Sequence, residues 1–485
     1  MLARFPEYRA LKNKAAGGAA RLSEQELREI KFWFILAYFD PDFLERPVTL
    51  TGGEVVDLTD IISRHHDGAY LLRKRVDEGD CARIIAETWK VLSNIVPVHR
   101  KLLYDPDSQK GQIDVITTPF YHPILPLVAD TDAARDCQPA DPMPPRFRHP
   151  EDAEMQIAKA SAYFRKTFGR DPFGMWPAEG SVSEESVALF QKQGIRWIAT
   201  DEKILERSSP SGLSRLEPYS AGRDARVALV FRDTGLSDRI GFTYQSWYGR
   251  DAAYDFVNAV AANRPRDGEP DRLLTVILDG ENAWEWYVFD NDGREFLRTM
   301  YGRLTELGAE RSVVTTTMTE YIGGNASRGI PPHPVASMKK IDRLYPGSWI
   351  NANFDTWIGH PDKNRAWEYL RTARADLGAS GVPRPDPHGS APEQDSPAWF
   401  AWKAWEEMYA AEGSDWFWWY GTRQNVPGGI RPFDEAFRLH LGNIYTFARR
   451  AGYKMPERVF AAIGPGEDRD GDTVQGAMKQ GAATQ

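Results

Sequence analysis

The sequence predicts an α/β fold: a parallel, barrel-like domain to about residue 325, followed by an α-helical domain. Three observations lead there. Short apolar, β-branched runs alternate with helical periodicity through the first two thirds of the chain. Two of those runs end abruptly in a carboxylate beside a glycine, at Glu179-Gly180 and Asp279-Gly280. After about residue 326 the strand signals fade and only helical periodicity persists.

Taken in order, Ser23 with Glu26 three residues on forms a capping box that opens a helix over 23–39, and Asp40-Pro41 closes it. Residues 69–104 are charged and periodically apolar, which predicts mostly helix, so 20–104 is expected to be a helical insertion. Ile113–Thr118 is a strand candidate, followed by the loop Pro119-Phe120-Tyr121-His122-Pro123. A helix is expected over 151–168, ending near Gly169. Ser181 and Glu184 match a capping box for a helix that stops at Gly194. Strands are expected at Ile195–Ala199, Val227–Phe231, Gly241–Tyr244, 273–278 and Ser312–Thr317, with helices at 251–263 and 293–307. Helices at 362–377, 398–411 and 433–449 make up the second domain, interrupted by a Gly/Pro/Ser/Asp-rich loop at 378–397. The expected division is therefore 1–325 for a catalytic barrel and 326–463 for the helical domain. The polar, Gly-rich stretch 464–485 is expected to be disordered.

Composition narrows the function. The chain has 485 residues and a net charge of -9, which disfavours nucleic acid and anionic membranes as partners. Two cysteines, Cys81 and Cys137, make no disulfide framework and fit a reducing compartment. No apolar run is long enough to span a bilayer and no signal-peptide layout opens the chain, so a cytoplasmic location is expected. Sixteen Trp, 19 Tyr and 23 Phe suit a carbohydrate protein, because aromatic faces stack on sugar C–H faces; they equally suit a large aromatic core.

The stretch Leu274-Thr-Val-Ile-Leu278-Asp279 reads as a buried parallel strand that delivers a carboxylate to its C-terminal tip, where barrel folds keep their chemistry. Glu179 follows Gly174-Met-Trp176-Pro-Ala in the same way. Retaining glycosidases set two carboxyl groups about 5–5.5 Å apart, one as nucleophile and one as acid and then base. Glu179 and Asp279 are the best pair for that work. As structural alternatives, Glu179 is a capping carboxylate at a helix start and Asp279 a turn residue before Gly280.

Four segments carry a resemblance. TTPFYHPILPL (117–127), GMWPAEGSVSEESV (174–187), VILDGENAWEWY (276–287) and GSWINANFDTWIGHPDKNRAWEYL (347–370) resemble four of the five signature regions of glycoside hydrolase family 57. The subgroup resembled is that of amylopullulanases and related α-amylases, and the match runs from about residue 27 to EGSDWFWWYG (412–421). The resemblance implies an incomplete (β/α) barrel of seven strands with an α-helical C-terminal domain. It implies an α-glucan substrate and a retaining mechanism that uses no metal or other cofactor. The nucleophile falls on Glu179 and the general acid/base on Asp279. Tyr121 and His122 would line the site, and Glu281 would hold Asp279 or touch a hydroxyl. Trp176, Trp284 and Trp357 are candidate stacking platforms, Asp355 and His360 candidate ligands of sugar hydroxyls. Of Trp416, Trp418 and Trp419, at least one, Trp418 foremost, is expected to face the cleft. Asp279 must hold a proton near neutral pH, and the Glu179 charge beside it in a dehydrated pocket would favour that.

Two departures from the family pattern stand out. The first signature, a His-Gln-Pro segment on the first barrel strand, does not occur, so that strand is expected to be absent from this chain, through a misplaced start or a natural shortening. Thr422-Arg423-Gln424 stands where relatives commonly carry acidic residues and a His. The activity expected is hydrolysis of α-1,4 bonds, with α-1,6 bonds as a further target, in starch- or glycogen-like polymers. A 4-α-glucanotransferase or branching enzyme would use the same carboxylates. A non-catalytic glucan-binding protein and a zinc hydrolase built on His65-His66-Asp67 or His360-Pro361-Asp362 are the readings from other classes.

Overall fold

A computed structural model describes residues 2–18, 21–222, 224, 226–280, 284–290, 292–421 and 429–464. The chain forms two compact units, one covering residues 1–113 and the other most of the remainder.

In the first unit, helices Pro6–Ala15, Glu24–Leu36 and Glu78–Leu102 accompany two small hairpins, β1 (Val48–Thr49) with β2 (Val55–Val56) and β3 (Ile62–Arg64) with β4 (Tyr70–Leu72). Phe32, Trp33, Leu36, Ile62, Tyr70 and Ile84 form its core. The capping box at Ser23 is present as expected, with both reciprocal bonds to Glu26. The helix expected over 69–104 begins only at Glu78. Tyr70–Leu72 pairs with Ile62–Arg64 instead, and Asp77 caps the helix through a box with Asp80.

The second unit is built on a five-stranded sheet, β5 (Gly174–Met175), β6 (Trp197–Asp201), β7 (Tyr219–Ala221), β8 (Val227–Arg232) and β9 (Lys339–Lys340), in the order β5-β6-β8-β7-β9. β5, β6 and β8 run parallel, and the arc continues at both flanks through single parallel bridges, Thr117 to Met175 and Arg232 to Thr275. Segments 117, β5, β6, β8 and 275 are thus neighbours in chain order, as in a (β/α) barrel. β6 and β8 are buried on both faces, which is why they read as continuous apolar runs. Alternation sorts their side chains. Trp197, Ala199, Ala228 and Val230 turn to one small inner cluster. Ile198, Val227, Leu229 and Phe231 turn outward into a large core shared with helices Pro361–Ala379, Pro397–Ala411 and Arg431–Arg450.

Helices Pro150–Phe168, Gly249–Ala262 and Arg294–Ala309 lie close to their expected bounds, and Gly169 closes the first in the left-handed conformation. Five expectations are corrected. Residues 273–278 form no strand and pair with the sheet only through the bridge of Thr275 to Arg232. The helix Glu184–Lys192 is capped by Ser183 with Ser186, not by Ser181 with Glu184. Gly241–Tyr244 is no strand: Arg239–Thr243 forms a π-helical turn that prolongs the helix Thr234–Asp238. Ile113–Thr118 makes only isolated bridges. Ser312–Thr317 joins no ladder, because Arg328 takes the Thr315 carbonyl and Thr317 turns to cap the helix Met318–Gly323. The stretch 465–485, expected to be disordered, lies outside the described residues. Among the described residues no helix is long and apolar enough to cross a membrane.

Candidate active site

Glu179 sits one tight turn beyond the tip of β5. Its backbone is left-handed (φ 56°, ψ 28°), and Gly180 follows with φ 58°. A non-glycine residue there carries a cost of about 1–2 kcal/mol, sustained only where the surroundings fix it. Here they do. Gly180 N–H donates to the Pro177 carbonyl at 2.8 Å and Thr200 Oγ1, at the end of β6, donates to the Gly180 carbonyl at 2.6 Å. Trp349 N–H donates to the Glu179 carbonyl at 3.1 Å, and Val182 pairs with Gly347. A Cβ on Gly180 would lie 3.0 Å from the Trp176 ring, so the glycine serves close packing as well as conformation.

The Glu179 carboxylate is held at one oxygen and faces an imidazole at the other. Trp349 Nε1 donates to Oε2 at 2.9 Å, and His122 Nε2 stands 4.0 Å from Oε1. Trp176 meets Trp349 edge-on with centroids 5.2 Å apart. His122 is itself left-handed (φ 55°), with Nδ1 2.7 Å from Ser414 Oγ and its carbonyl accepting from Ser414 N–H at 3.1 Å. Helical residues therefore aim the imidazole from behind.

Asp279 is reached through the segment that bridges β8. Asp233 N–H donates to the Thr275 carbonyl at 2.8 Å, and Ile277 N–H to Ser237 Oγ at 3.1 Å. Leu274, Val276 and Leu278 pack outward, while Leu273 and Ile277 join the inner cluster. Asp279 follows Leu278 at the end of this segment, directly before Gly280. Arg232, at the end of β8, ties this segment to the Glu179 turn. Its Nε donates to the Ile277 carbonyl at 2.9 Å, and its guanidinium lies 5.4 Å from the centre of the Trp349 ring, the ring that bonds Glu179. Asp238 at 2.6 Å and the buried Asp201 at 3.4 Å neutralise the arginine.

The other candidates divide. The Tyr121 hydroxyl donates to Glu406 Oε2 at 2.8 Å, Glu406 in turn pairs with Lys159, and burial raises the phenol's pKa. Tyr121 thus tethers the 119–123 loop to the C-terminal helices. Gln156 completes the tether: its Oε1 accepts from Tyr121 N–H at 3.2 Å and its Nε2 donates to the fully buried Glu412 at 2.9 Å. Trp357, 1 % exposed, is core, so no face of it is open to stack on a sugar. His360 caps the helix Pro361–Ala379, its Nδ1 accepting from Asp362 N–H at 3.2 Å. Asp355 is half-buried in the turn after Asn353. Trp284 packs inward on Phe296 and Tyr287, whereas Trp286 two residues on is half exposed. Trp416 bonds the Ala410 carbonyl and packs on Phe437, Trp419 stacks on Phe433, and Trp418 remains half-buried 6.0 Å from Trp357. Glu281 and Thr422-Arg423-Gln424 lie outside the described residues.

Sequence reading alone did not single out Trp349, Arg232, Ser414 or Trp286. The available signal was Arg232 closing the apolar run Val227–Phe231, a charge where an inward strand tip begins. Among the described residues, His149, Glu151 and Asp152 are grouped as metal ligands could be, but Arg374 and Arg384 both pair with Asp152, and a cation there would meet two guanidinium groups.

A family model described as glycosyl hydrolase family 57 matches residues 18–336. Alpha-amylase 1 of Dictyoglomus thermophilum is 28% identical over 95 residues, and the match spans only 11% of that relative's length and 20% of this chain. Among solved structures, the GH57-type branching enzyme of Pyrococcus horikoshii superposes with a TM-score of 0.52 at 15% identity, covering 77% of this chain and 69% of that one. The GH57 branching enzyme TK1436 of Thermococcus kodakaraensis, in complex with glucose, gives 0.52 at 17%, covering 77% and 71%. The α-amylase AmyC of Thermotoga maritima gives 0.52 at 14%, covering 77% and 73%. At such identities the structures attest the fold alone: an α/β barrel with a helical C-terminal part. The match of the family model to about two thirds of the residues settles the lineage: this chain belongs to glycosyl hydrolase family 57.

Proposed function

We propose that the chain is a retaining α-glucan-acting enzyme, with Glu179 as nucleophile and Asp279 as general acid/base. Glu179 attacks the anomeric carbon while Asp279 protonates the departing glycosidic oxygen. A covalent glycosyl-enzyme forms, Asp279 then deprotonates an acceptor, and the acceptor oxygen displaces Glu179. The observation that carries this reading is the Glu179 turn. A strained, fully braced backbone presents a carboxylate with one oxygen on an indole N–H and the other facing His122. The Trp349 bond keeps that carboxylate in one orientation, which is what in-line attack requires. In this reading His122, across from Glu179 Oε1, donates to a hydroxyl of the reacting sugar. Arg232 supports the reading by linking the Asp279 segment to Trp349.

The finer assignment is hydrolysis of α-1,4 bonds, as in the amylase and amylopullulanase subgroup, in a cytoplasmic setting. Water and a glucan hydroxyl compete for the same intermediate, so branching or chain transfer would use the same two carboxylates. Product analysis on maltooligosaccharides, amylose and pullulan tests this. New reducing ends support hydrolysis, longer or branched products support transfer, and cleavage of pullulan supports the α-1,6 assignment. Activity that persists in Glu179→Gln overturns the mechanism, and an inert parent chain returns the protein to the class of glucan binders.

A further inference from the structure

The loop that follows Asp279 ends in an unusual surface. Tyr248 is 71% exposed, Phe289 64%, Val288 64% and Trp286 49%. Single exposed aromatics need no explanation, but a contiguous group of them marks a binding surface. The Tyr248 and Phe289 rings stand 6.2 Å apart at 57°. Trp247, 39% exposed, precedes Tyr248 in the chain and leans edge-on against the buried Tyr244.

This surface is built rather than loose. Tyr287, between the outward Trp286 and Val288, is buried, and its hydroxyl donates to the Ile240 carbonyl at 2.5 Å. Asp290, directly after Phe289, accepts from Glu295 N–H at 2.6 Å and Phe296 N–H at 2.7 Å. Gly249, directly after Tyr248, lies so close to Asp290 that a Cβ would fall 2.2 Å from its Oδ2. The backbone that carries the two outward rings is therefore anchored by the packing of their chain neighbours. The turns Tyr244–Ser246 and Trp284–Trp286 also pack together.

We propose that Tyr248 and Phe289, flanked by Trp247 and Trp286, form an accessory shelf that binds an α-glucan chain extending from the cleft. The inference rests on the glucan reading above and deepens it by placing binding outside the reacting sugar. Three observations favour this occupant. The outward residues Trp247, Tyr248, Trp286, Val288 and Phe289 carry no charge, which suits a neutral polymer with apolar C–H faces and hydroxyl edges. Trp286 follows Asp279 closely in the chain and lies within about 25 Å of it, the reach of the fully extended segment. The backbone that carries the rings is also fixed before any ligand arrives, which lowers the ordering cost of binding.

The test is retardation in native gels containing glycogen, run on the parent, Glu179→Gln, the double variant Tyr248→Ala/Phe289→Ala, and the conservative Tyr248→Phe/Phe289→Tyr. Thermal melting and light scattering accompany each. The parent, Glu179→Gln and the conservative pair are expected to be retarded alike. The alanine pair should bind on the order of tenfold more weakly at an unchanged melting temperature. In the active enzyme, kcat/KM should fall for amylose and hold for maltotriose. Equal retardation of the alanine pair overturns the shelf, as does a parent that glycogen does not retard. A dimer that the alanine pair splits, with glycogen binding intact, also overturns it and makes the surface an interface between copies. A parent that is retarded yet cleaves no glucan leaves the shelf standing and removes the catalytic reading.

Discussion

At the residue scale, the site depends on side chains that make no contact with substrate in the proposed chemistry. Trp349 is the first of these. Its indole N–H is the donor to Glu179 Oε2, and a hydrogen bond to a charged group contributes about 1.5–3 kcal/mol. Trp349→Phe keeps an aromatic ring against Trp176 and Arg232 and removes that donor. Its kcat on amylose is expected to fall by about 10- to 100-fold with KM nearly unchanged, since the lost bond orients the proposed nucleophile rather than the sugar. A change confined to KM would assign Trp349 to binding instead.

Glu412 makes a different kind of prediction. It is 1% exposed, and burial pushes its pKa up to about 8. In the unfolded chain it ionises near 4.5, while the folded protein keeps the proton until about 8. The native state thus binds more protons across that window, and stability falls as pH rises through it, by an amount on the order of a few kcal/mol in all. Below about 4.5 the penalty is absent; above about 8 it is complete. Glu412→Gln removes the charge yet leaves an oxygen for the Gln156 amide. The variant should melt at a higher temperature than the parent at a pH just above about 8, and the difference should shrink towards zero near 4.5. Calorimetry across that range checks both the sign and the window.

At the scale of elements, the loop Pro119–Pro123 shows how the helical part supports the barrel tip. Its tether ends in Glu406, which joins the Tyr121 hydroxyl to Lys159. Tyr121→Phe removes one hydrogen bond and should cost about 1 kcal/mol. Glu406→Ala strands Lys159, whose side chain is only 12% exposed, and should cost about 3–5 kcal/mol. Urea unfolding of the two variants measures the difference; equal losses would mean that Lys159 finds another partner.

Elements also divide into those the sequence reveals and those it hides. β6, β8 and the long helices were legible because their apolar periodicity is local. The short run at 241–244 has the alternation of a strand, but Asp233 caps a helix that runs on into it as a π-helical turn. Ser312–Thr317 is β-branched, yet its polar atoms are taken by Arg328 and Glu320. In the site, Glu179 and Asp279 are visible as carboxylates beside glycines directly after apolar runs. Ser414 behind His122, and Arg232 over Trp349, were not, because those contacts join segments far apart in the chain. Trp357 and His360 fell in a matching segment and proved to be a core residue and a helix cap.

At the scale of the whole molecule, a family 57 barrel arc carries Glu179 on a braced turn after β5 and Asp279 on the segment that bridges β8. The central claim is that those carboxylates play different parts in one retaining reaction. Azide rescue of Glu179→Ala and Asp279→Ala on an activated maltosyl donor separates the parts. Without its nucleophile the enzyme would let azide attack the anomeric carbon directly, so Glu179→Ala should yield the β-maltosyl azide. With Glu179 present and the base removed, azide would open the covalent intermediate, so Asp279→Ala should yield the α-maltosyl azide. Products of the same anomeric configuration from both variants, or an undiminished rate in Glu179→Ala without azide, would contradict the account.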